Sequence, residues 1–277
     1  MTDEAPRTRV ARAAAETALV RVVHHYGQRP EFVVLGGLVP ELLCSDSEYT
    51  HAGTTDVDVQ VDLEIAAGSV HTARLEQALR NAEFEPDKDR PWRWSAEGLG
   101  ANVLVRFELL ADLDNTPNEA TIRFDDCEDL GAANLRGTGY AARDVEVREL
   151  TSKIRGDLHT VEVNVSGLAG FLLAKIAAAH SRRRTKDWYD IAFVLLHNEA
   201  GGPEEAAAVV LERFGDELIG SIRTAIEDLK ANFATPTGQG PVAYADQILL
   251  DHPELDRVTV TADAVLAVER FCELVLS

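Results

Sequence analysis

Residues 54–61 alternate between polar and apolar side chains, which predicts a β-strand with one buried and one polar face. In such a strand Asp56 and Asp58 lie on the same face, about 7 Å apart. Like charges at that distance repel each other, and the pair therefore favours a divalent cation between them. Mg²⁺ is the natural candidate because it prefers oxygen ligands and usually takes one or two protein carboxylates. A solvated strand face is the alternative interpretation of this stretch by itself.

Length and composition indicate an ordinary globular protein. The 277 residues are enough for one large or two small domains, and 45% of them are hydrophobic. No apolar run is long enough to span a membrane, and the polar residues 1–12 lead into no signal-peptide core. Cys44, Cys127 and Cys272 are scattered, which argues against structural zinc and for a reducing compartment. We therefore expect a cytoplasmic protein that does not contact membranes.

The net charge of −20 limits the kinds of partner that the chain can bind over a broad surface. It arises from 47 acidic and 27 basic residues, so the average surface repels nucleic acid and acidic lipids. Contact with RNA or a nucleotide must then be local, through a basic pocket or a bound metal ion. A basic partner fits the same charge.

A strand, two glycines and a helix precede the acidic strand. Residues 31–35 predict a short buried strand that runs into Gly36 and Gly37, and residues 38–44 read as a helix. Paired glycines let the backbone approach a ligand closely, and the start of a helix attracts phosphate. A tight turn that needs only positive φ is the alternative.

An apolar strand with one acid follows the acidic strand. Residues 102–110 predict this strand, and Glu108 lies within it. A carboxylate inside a central strand is costly unless it is paired or binds a metal. Just upstream, Trp92 and Trp94 favour a half-buried edge strand over a platform for stacking bases.

The periodicity predicts an α+β fold, with a mixed β-sheet and flanking helices followed by an all-helical C-terminal part. We place the first domain at residues 1–165 and the second at residues 166–277. Ser166 and Thr185 are expected as helix N-caps. The remaining expectations are strands at 144–150 and 161–165 joined by a loop at 152–160, helices at 8–26, 69–82, 203–214, 216–233 and 262–276, and a Gly/Pro-rich break at 235–241.

The start of the C-terminal part carries the second group of charged residues. Lys175 lies at the border of an apolar helix face, and Asp187 and Asp190 share one face of the next helix. We expect Asp187 to serve the start of its helix and Asp190 to pair with Lys175 or another base. The run Arg182–Arg184 is the only dense positive segment of the sequence, and its charge suits phosphate.

Taken together, these motifs resemble the DNA polymerase β-type nucleotidyltransferase superfamily. The shared order is strand–Gly-Gly–helix, a strand with Asp-x-Asp, and a strand with a third acid. The later Lys-Ile-Ala-Ala from Lys175 and Lys-Asp-Trp-Tyr-Asp to Asp190 resemble one branch, the AbiEii-like toxins of type IV toxin–antitoxin systems, which include the mycobacterial MenT toxins. The resemblance covers about residues 30–198.

The resemblance implies a Mg²⁺-dependent enzyme, with two ions, that moves a nucleoside monophosphate from an NTP to an acceptor. The 3′ end of tRNA is the acceptor it suggests, in a toxin with a cognate antitoxin. The site roles it implies are triphosphate binding by Gly36 and Gly37, metal binding by Asp56, Asp58 and Glu108, catalysis by these acids with Lys175 and Asp190, and nucleotide binding by Lys175, Arg182 and Arg184.

Two residues depart from the family pattern. Leu38 has no hydroxyl where the family often has Ser or Thr, and Glu108 is longer than the usual Asp. These departures keep open a catalytically weak or inactive nucleotide-binding module. A nucleotidyltransferase that acts on a small molecule, such as an aminoglycoside-like hydroxyl compound, is a further alternative.

Overall fold

The computed structural model describes residues 8–61, 72–97 and 103–277. They divide into two compact units, one within 1–39 and 53–166 and the other comprising 40–52 and 167–277. The architecture is the predicted mixed β-sheet with flanking helices and a helical C-terminal part. Residues 40–52, which the sequence prediction assigned to the first domain, lie in the second unit, while the domain division itself stays a prediction.

The first unit is built on a mixed sheet. Its described strands are β1 (Val33–Leu35), β2 (Asp56–Gln60), β3 (Glu85–Pro86), β4 (Arg93–Glu97), β5 (Leu104–Ala111), β6 (Thr121–Arg123), β7 (Gly131–Asn134), β8 (Val145–Ile154) and β9 (Asp157–Ser166). The strand order is β3-β4-β5-β2-β1-β9-β8, with β7 paired to β5 and β6. Strand β2 runs parallel to β5 and antiparallel to β1, so it lies near the middle of the sheet.

Three helices of this unit flank the sheet: α1 (Arg9–Tyr26), α3 (Thr72–Asn81) and α4 (Gly139–Arg143), while α2 (Val39–Leu43) follows a 3-10 turn at Gly36–Leu38. Helix α1 begins one residue after the predicted start and ends as predicted, at Gly27. The Thr8 hydroxyl accepts a hydrogen bond from the Ala11 amide, and Gly27 ends the helix at φ +83°.

Alternation along the strands separates the apolar face of the sheet from its polar face. Val57, Val59, Phe107 and Trp94 are fully buried, whereas the acids on β2 are half-buried. The half-buried strand predicted at Trp92–Trp94 is present as β4, but its predicted edge position is wrong, because β4 pairs with β3 on one side and β5 on the other. The predicted extension of β2 to about residue 63, the start of helix 69–82 and the first residue of strand 102–110 lie outside the described residues.

The predicted hairpin loop at 152–160 is also wrong. Strands β8 and β9 pair continuously from Val145 with Ser166 to Ile154 with Asp157, which leaves a two-residue turn at 155–156. Ser166 therefore completes a strand, and Gly167 is the N-cap of the next helix. Strands β6 and β7 and helix α4 fall in residues 116–143, where the sequence pattern had indicated no element.

The second unit consists of helices together with residues 40–52. Its longer helices are α5 (Leu168–Arg182), α6 (Thr185–His197), α7 (Pro203–Phe214), α8 (Gly220–Asn232), α9 (Gln239–Asp251) and α10 (Arg257–Leu276). Helix α6 packs against α5, α9 and α10, and its residues 187–195 are buried. Arg184 is its N-cap, and Thr185 is its first residue rather than the predicted cap.

Helix α9 replaces the predicted Gly/Pro-rich break at 235–241. Gly240 and Pro241 lie in its first turn, where proline is tolerated because the amide it lacks would have no partner within the helix. A Cβ on Gly240 would overlap the ring of Phe233, so the glycine allows close packing. None of the helices in the described part of the chain is both long and apolar enough to cross a membrane.

Candidate active site

The three predicted metal-binding acids lie on one face of two neighbouring strands. Parallel pairing of β2 with β5 places Asp58 opposite Glu108 and Asp56 opposite Arg106. Directly opposed residues of adjacent strands point to the same side of a sheet. The alternation seen in the sequence therefore brings Asp56, Asp58 and Glu108 together on the polar face of the first unit.

The paired glycines bring the turn after β1 against the acidic strand. Gly36 has φ +75°, and a Cβ built there would overlap Oδ2 of Asp58 and lie 2.9 Å from its Cγ. A Cβ on Gly37 would lie 2.8 Å from Cβ of Thr54. Both glycines are thus required for close approach within the protein, and their role toward a triphosphate stays a prediction.

The residue after the glycines fills the core. Leu38 is buried, which accounts for an apolar residue at a position where the family often has a hydroxyl. A hydroxyl is nevertheless present nearby, because the Thr54 side chain lies against Gly37 and its Oγ1 accepts a hydrogen bond from the Asp56 amide at 3.0 Å.

Two arginines share the polar face, and the sequence pattern did not single them out. Nε and Nη2 of Arg93 each lie 2.6 Å from Oε1 of Glu108, and Nη1 of Arg106 lies 3.6 Å from Oδ1 of Asp56. Arg106 could have been found from the sequence, because it precedes Glu108 by two residues and side chains two apart in a strand share a face. Arg93 required the pairing of β4 with β5.

The donor set of this face fits Mg²⁺. It offers carboxylate oxygens, which this hard cation prefers, and Oδ1 of Asp56 is buried without a hydrogen-bond partner among the described residues. Within those residues, no three His, Cys, Asp or Glu side chains already converge as a metal-binding group, and Glu108 is bound to Arg93. Asp56, Asp58 and Glu108 are the residues that would hold the ion.

The second unit contains Lys175 and Asp190, the other two predicted catalytic residues. Nζ of Lys175 lies 2.7 Å from Oδ2 of Asp190 and 3.3 Å from Oδ1 of Asp187. All three residues are buried, with 6% of Lys175 and none of the two acids exposed. The expected pairing of Asp190 with Lys175 is thus present, and Lys175 is not a surface residue.

In this cluster, burial and the neighbouring charges shift the pKa values of Lys175 and Asp187 in opposite directions. Burial disfavours the charged form of Lys175, but the carboxylates of Asp190 and Asp187 outweigh burial and raise its pKa. Burial likewise disfavours the ionised form of Asp187, and the cations of Lys175 and Arg182 outweigh it and lower its pKa. The cluster therefore holds Lys175 and Asp187 in their charged forms.

The arginine run does not form a single positive patch. Nε and Nη2 of Arg182 each lie 2.7 Å from a different oxygen of Asp187, and Nη2 of Arg183 lies 2.9 Å from Oδ1 of Asp228. Arg184 is exposed at the N-cap of α6. Asp187 lies in the first turn of α6 as expected, yet its oxygens bind side-chain cations rather than cap the helix.

His51 is a further member of the cluster that the sequence did not indicate. Its Nε2 lies 2.9 Å from Oδ1 of Asp190, and the ring is fully buried. A single histidine in a polar loop, 139 positions from its partner, carries no motif.

Comparison with family models agrees with the resemblance drawn from the motifs. Residues 134–263 match the family described as nucleotidyl transferase AbiEii toxin, type IV TA system. The match supports the resemblance of these residues to the AbiEii family. The AbiEii match includes Lys175 and Asp190, while the acids of β2 and β5 precede it. No curated protein matches the chain.

Proposed function

We propose that the protein is a Mg²⁺-dependent nucleotidyltransferase that moves a nucleoside monophosphate from an NTP to RNA, at the 3′ end of tRNA. In the cell it would act as the toxin of a type IV toxin–antitoxin pair, with a cognate antitoxin as its partner. The AbiEii match supports a nucleotidyltransferase toxin. The acceptor and the metal rest on the resemblance and on the chemistry of the polar face.

The observation that carries the proposal is the position of the acids on β2 and β5, which the pairing of these two strands places side by side. Three carboxylates from two strands share one face, and the turn at Gly36 packs against one of them. Bound metal ions would activate the attacking oxygen and offset charge on the reacting phosphate. The acids would hold the ions, and the glycine turn lets the backbone at Gly36 lie against Asp58.

Lys175 has the chemistry of a phosphate ligand. Asp190 and Asp187 accept two of its three ammonium protons, and a phosphate oxygen would accept the third. Because the carboxylates raise the pKa of Lys175, the cation is retained at neutral pH. In this proposal the two acids orient the ammonium group.

The test measures incorporation of each α-labelled NTP into total tRNA by the wild type and by Asp56→Ala. We expect the substitution to lower incorporation about 100-fold or more, as for loss of other groups that stabilise transition-state charge. Asp114→Ala is the matched control, because Asp114 is an exposed loop acid that binds Arg136. Equal incorporation by wild type and Asp56→Ala would refute the active-site assignment.

Two further measurements separate the alternatives. Calorimetric binding of Mg-NTP without turnover on any acceptor would identify an inactive nucleotide-binding module. Transfer to an aminoglycoside but not to tRNA would identify a small-molecule enzyme. Growth arrest upon expression, relieved by Asp56→Ala, is the outcome expected of a toxin.

A further inference from the structure

We propose that His51 is a positioning residue that fixes the carboxylate of Asp190 and, through it, the ammonium group of Lys175. Nε2 of His51 lies 2.9 Å from one oxygen of Asp190, and Nζ of Lys175 lies 2.7 Å from the other. His51 and Asp190 are fully buried. The expected effect of His51 on turnover rests on the proposed function. Its expected effect on the Lys175 ammonium group rests on the geometry of the cluster alone.

The His51 ring is held from several sides. It stacks on Tyr189 with centroids 5.0 Å apart and packs edge-on against Phe193 at 5.1 Å. Its backbone amide donates to Oε2 of Glu41 at 2.9 Å, and the next amide, of Ala52, donates to the Tyr189 hydroxyl at 3.0 Å. Neighbouring residues 51–52 thus bind neighbouring residues 189–190, and the imidazole cannot swing away without breaking several contacts.

The chemistry of the pair defines what His51 contributes. An ionised carboxylate only accepts hydrogen bonds, so the proton lies on Nε2 of His51. A neutral imidazole is sufficient for this role. With His51 occupying one oxygen, Asp190 presents its other oxygen to Lys175 in a fixed orientation, as partners outside the first shell of a metal orient its ligands.

Without His51, Oδ1 of Asp190 loses a buried donor. The carboxylate is then expected to rotate toward the remaining cation, and the ammonium group of Lys175 follows it. Loss of outer-shell partners commonly costs about 10- to 100-fold in activity. We therefore expect His51→Ala to lower kcat by about 10- to 100-fold and to leave KM for the NTP within about threefold.

His51→Gln is the conservative variant. Its side-chain amide retains a donor near the position of Nε2, and we expect it to restore kcat to within about tenfold of the wild type. His180→Gln is the matched control on α5, the helix of Lys175, because His180 is partly exposed and pairs with Asp228 instead. A drop in kcat that is equally deep in His51→Ala and His51→Gln, together with a KM that rises in parallel, would contradict a positioning role.

A measurement independent of turnover separates this inference from the proposed function. In protein labelled with ¹⁵N-lysine, the Nζ resonance of Lys175 is assigned by its loss in Lys175→Met. We expect His51→Ala to shift this resonance and His180→Gln to leave it unchanged. If the wild type transfers no nucleotide but the resonance shifts, the proposed function fails and the positioning role stands. An unchanged resonance in folded His51→Ala would overturn the inference.

Discussion

Alanine at Gly36 tests the close approach on which the candidate metal site depends. The backbone of Gly36 has φ +75°, a conformation that costs an L-residue about 1–2 kcal/mol. The added Cβ would also overlap Oδ2 of Asp58. Either the turn or the Asp58 carboxylate must move, because the nearest atoms include Cβ of Asp58 at 3.0 Å as well as the end of its side chain.

The magnitude follows from these two contributions. Overpacking in a close-packed region typically costs about 1–3 kcal/mol, which adds to the conformational cost. We expect Gly36→Ala to lower the free energy of unfolding of the first unit by about 2–5 kcal/mol. Gly27→Ala is the matched control, since Gly27 has φ +83° and its Cβ would meet only the far end of the long Arg74 side chain, at 3.1 Å. Gly27→Ala should lower the free energy of unfolding by only about 1–2 kcal/mol.

Urea denaturation monitored by tryptophan fluorescence measures both variants. In a Trp188→Phe background the emission comes from Trp92 and Trp94, which lie in the first unit. A magnesium titration of the same proteins provides a second measurement, because displacement of Asp58 should remove the stabilisation that the ion confers on the wild type.

Two results would refute this reasoning. One is a cost for Gly36→Ala within about 0.5 kcal/mol of the Gly27→Ala cost, which would mean that the overlap with Asp58 is relieved freely. The other is retention of the full magnesium effect by Gly36→Ala, which would separate the close approach from the site.

Three further predictions concern charged and titratable groups. Lys175→Met removes a cation from two buried carboxylates and should lower the free energy of unfolding, measured by urea denaturation, by about 3–5 kcal/mol. A decrease below about 1 kcal/mol would contradict the buried ion pairing of Lys175. Burial, and to a smaller extent His252, lower the pKa of His197 from 6.5 to about 4. Because the unfolded chain takes up this proton more readily than the folded protein, the contribution of His197 to the free energy of unfolding is complete above pH 6.5. It declines as the pH falls toward 4, by up to about 3 kcal/mol. His197→Gln should lose less stability over that range, and equal losses would contradict the assignment. Arg93→Met removes the ion pair between Arg93 and Glu108 and should tighten calorimetric Mg²⁺ binding severalfold, whereas an unchanged affinity would show that the arginine does not compete with the ion.

Most of the elements could be predicted because their signals are local. Helix α1 is bounded by Thr8 and Gly27, whose side chain and conformation act within a few residues. The errors arose where packing outweighs such signals. Gly240 and Pro241 suggest a break, but the helix forms because glycine fits against Phe233. The loop expected at 152–160 is strand, because continuous pairing along both strands outweighs its polar composition.

The sequence by itself determined that Asp56 and Asp58 share a strand face and that Lys175 and Asp190 occupy successive helices, because these relations follow from periods of two and 3.6 residues. Only the tertiary structure decided which distant residues meet them. Arg93 reaches Glu108 through strand pairing, and His51 reaches Asp190 through a loop that returns to α6. Such partners are set by how elements pair and pack, and no short-range pattern in the chain encodes that arrangement.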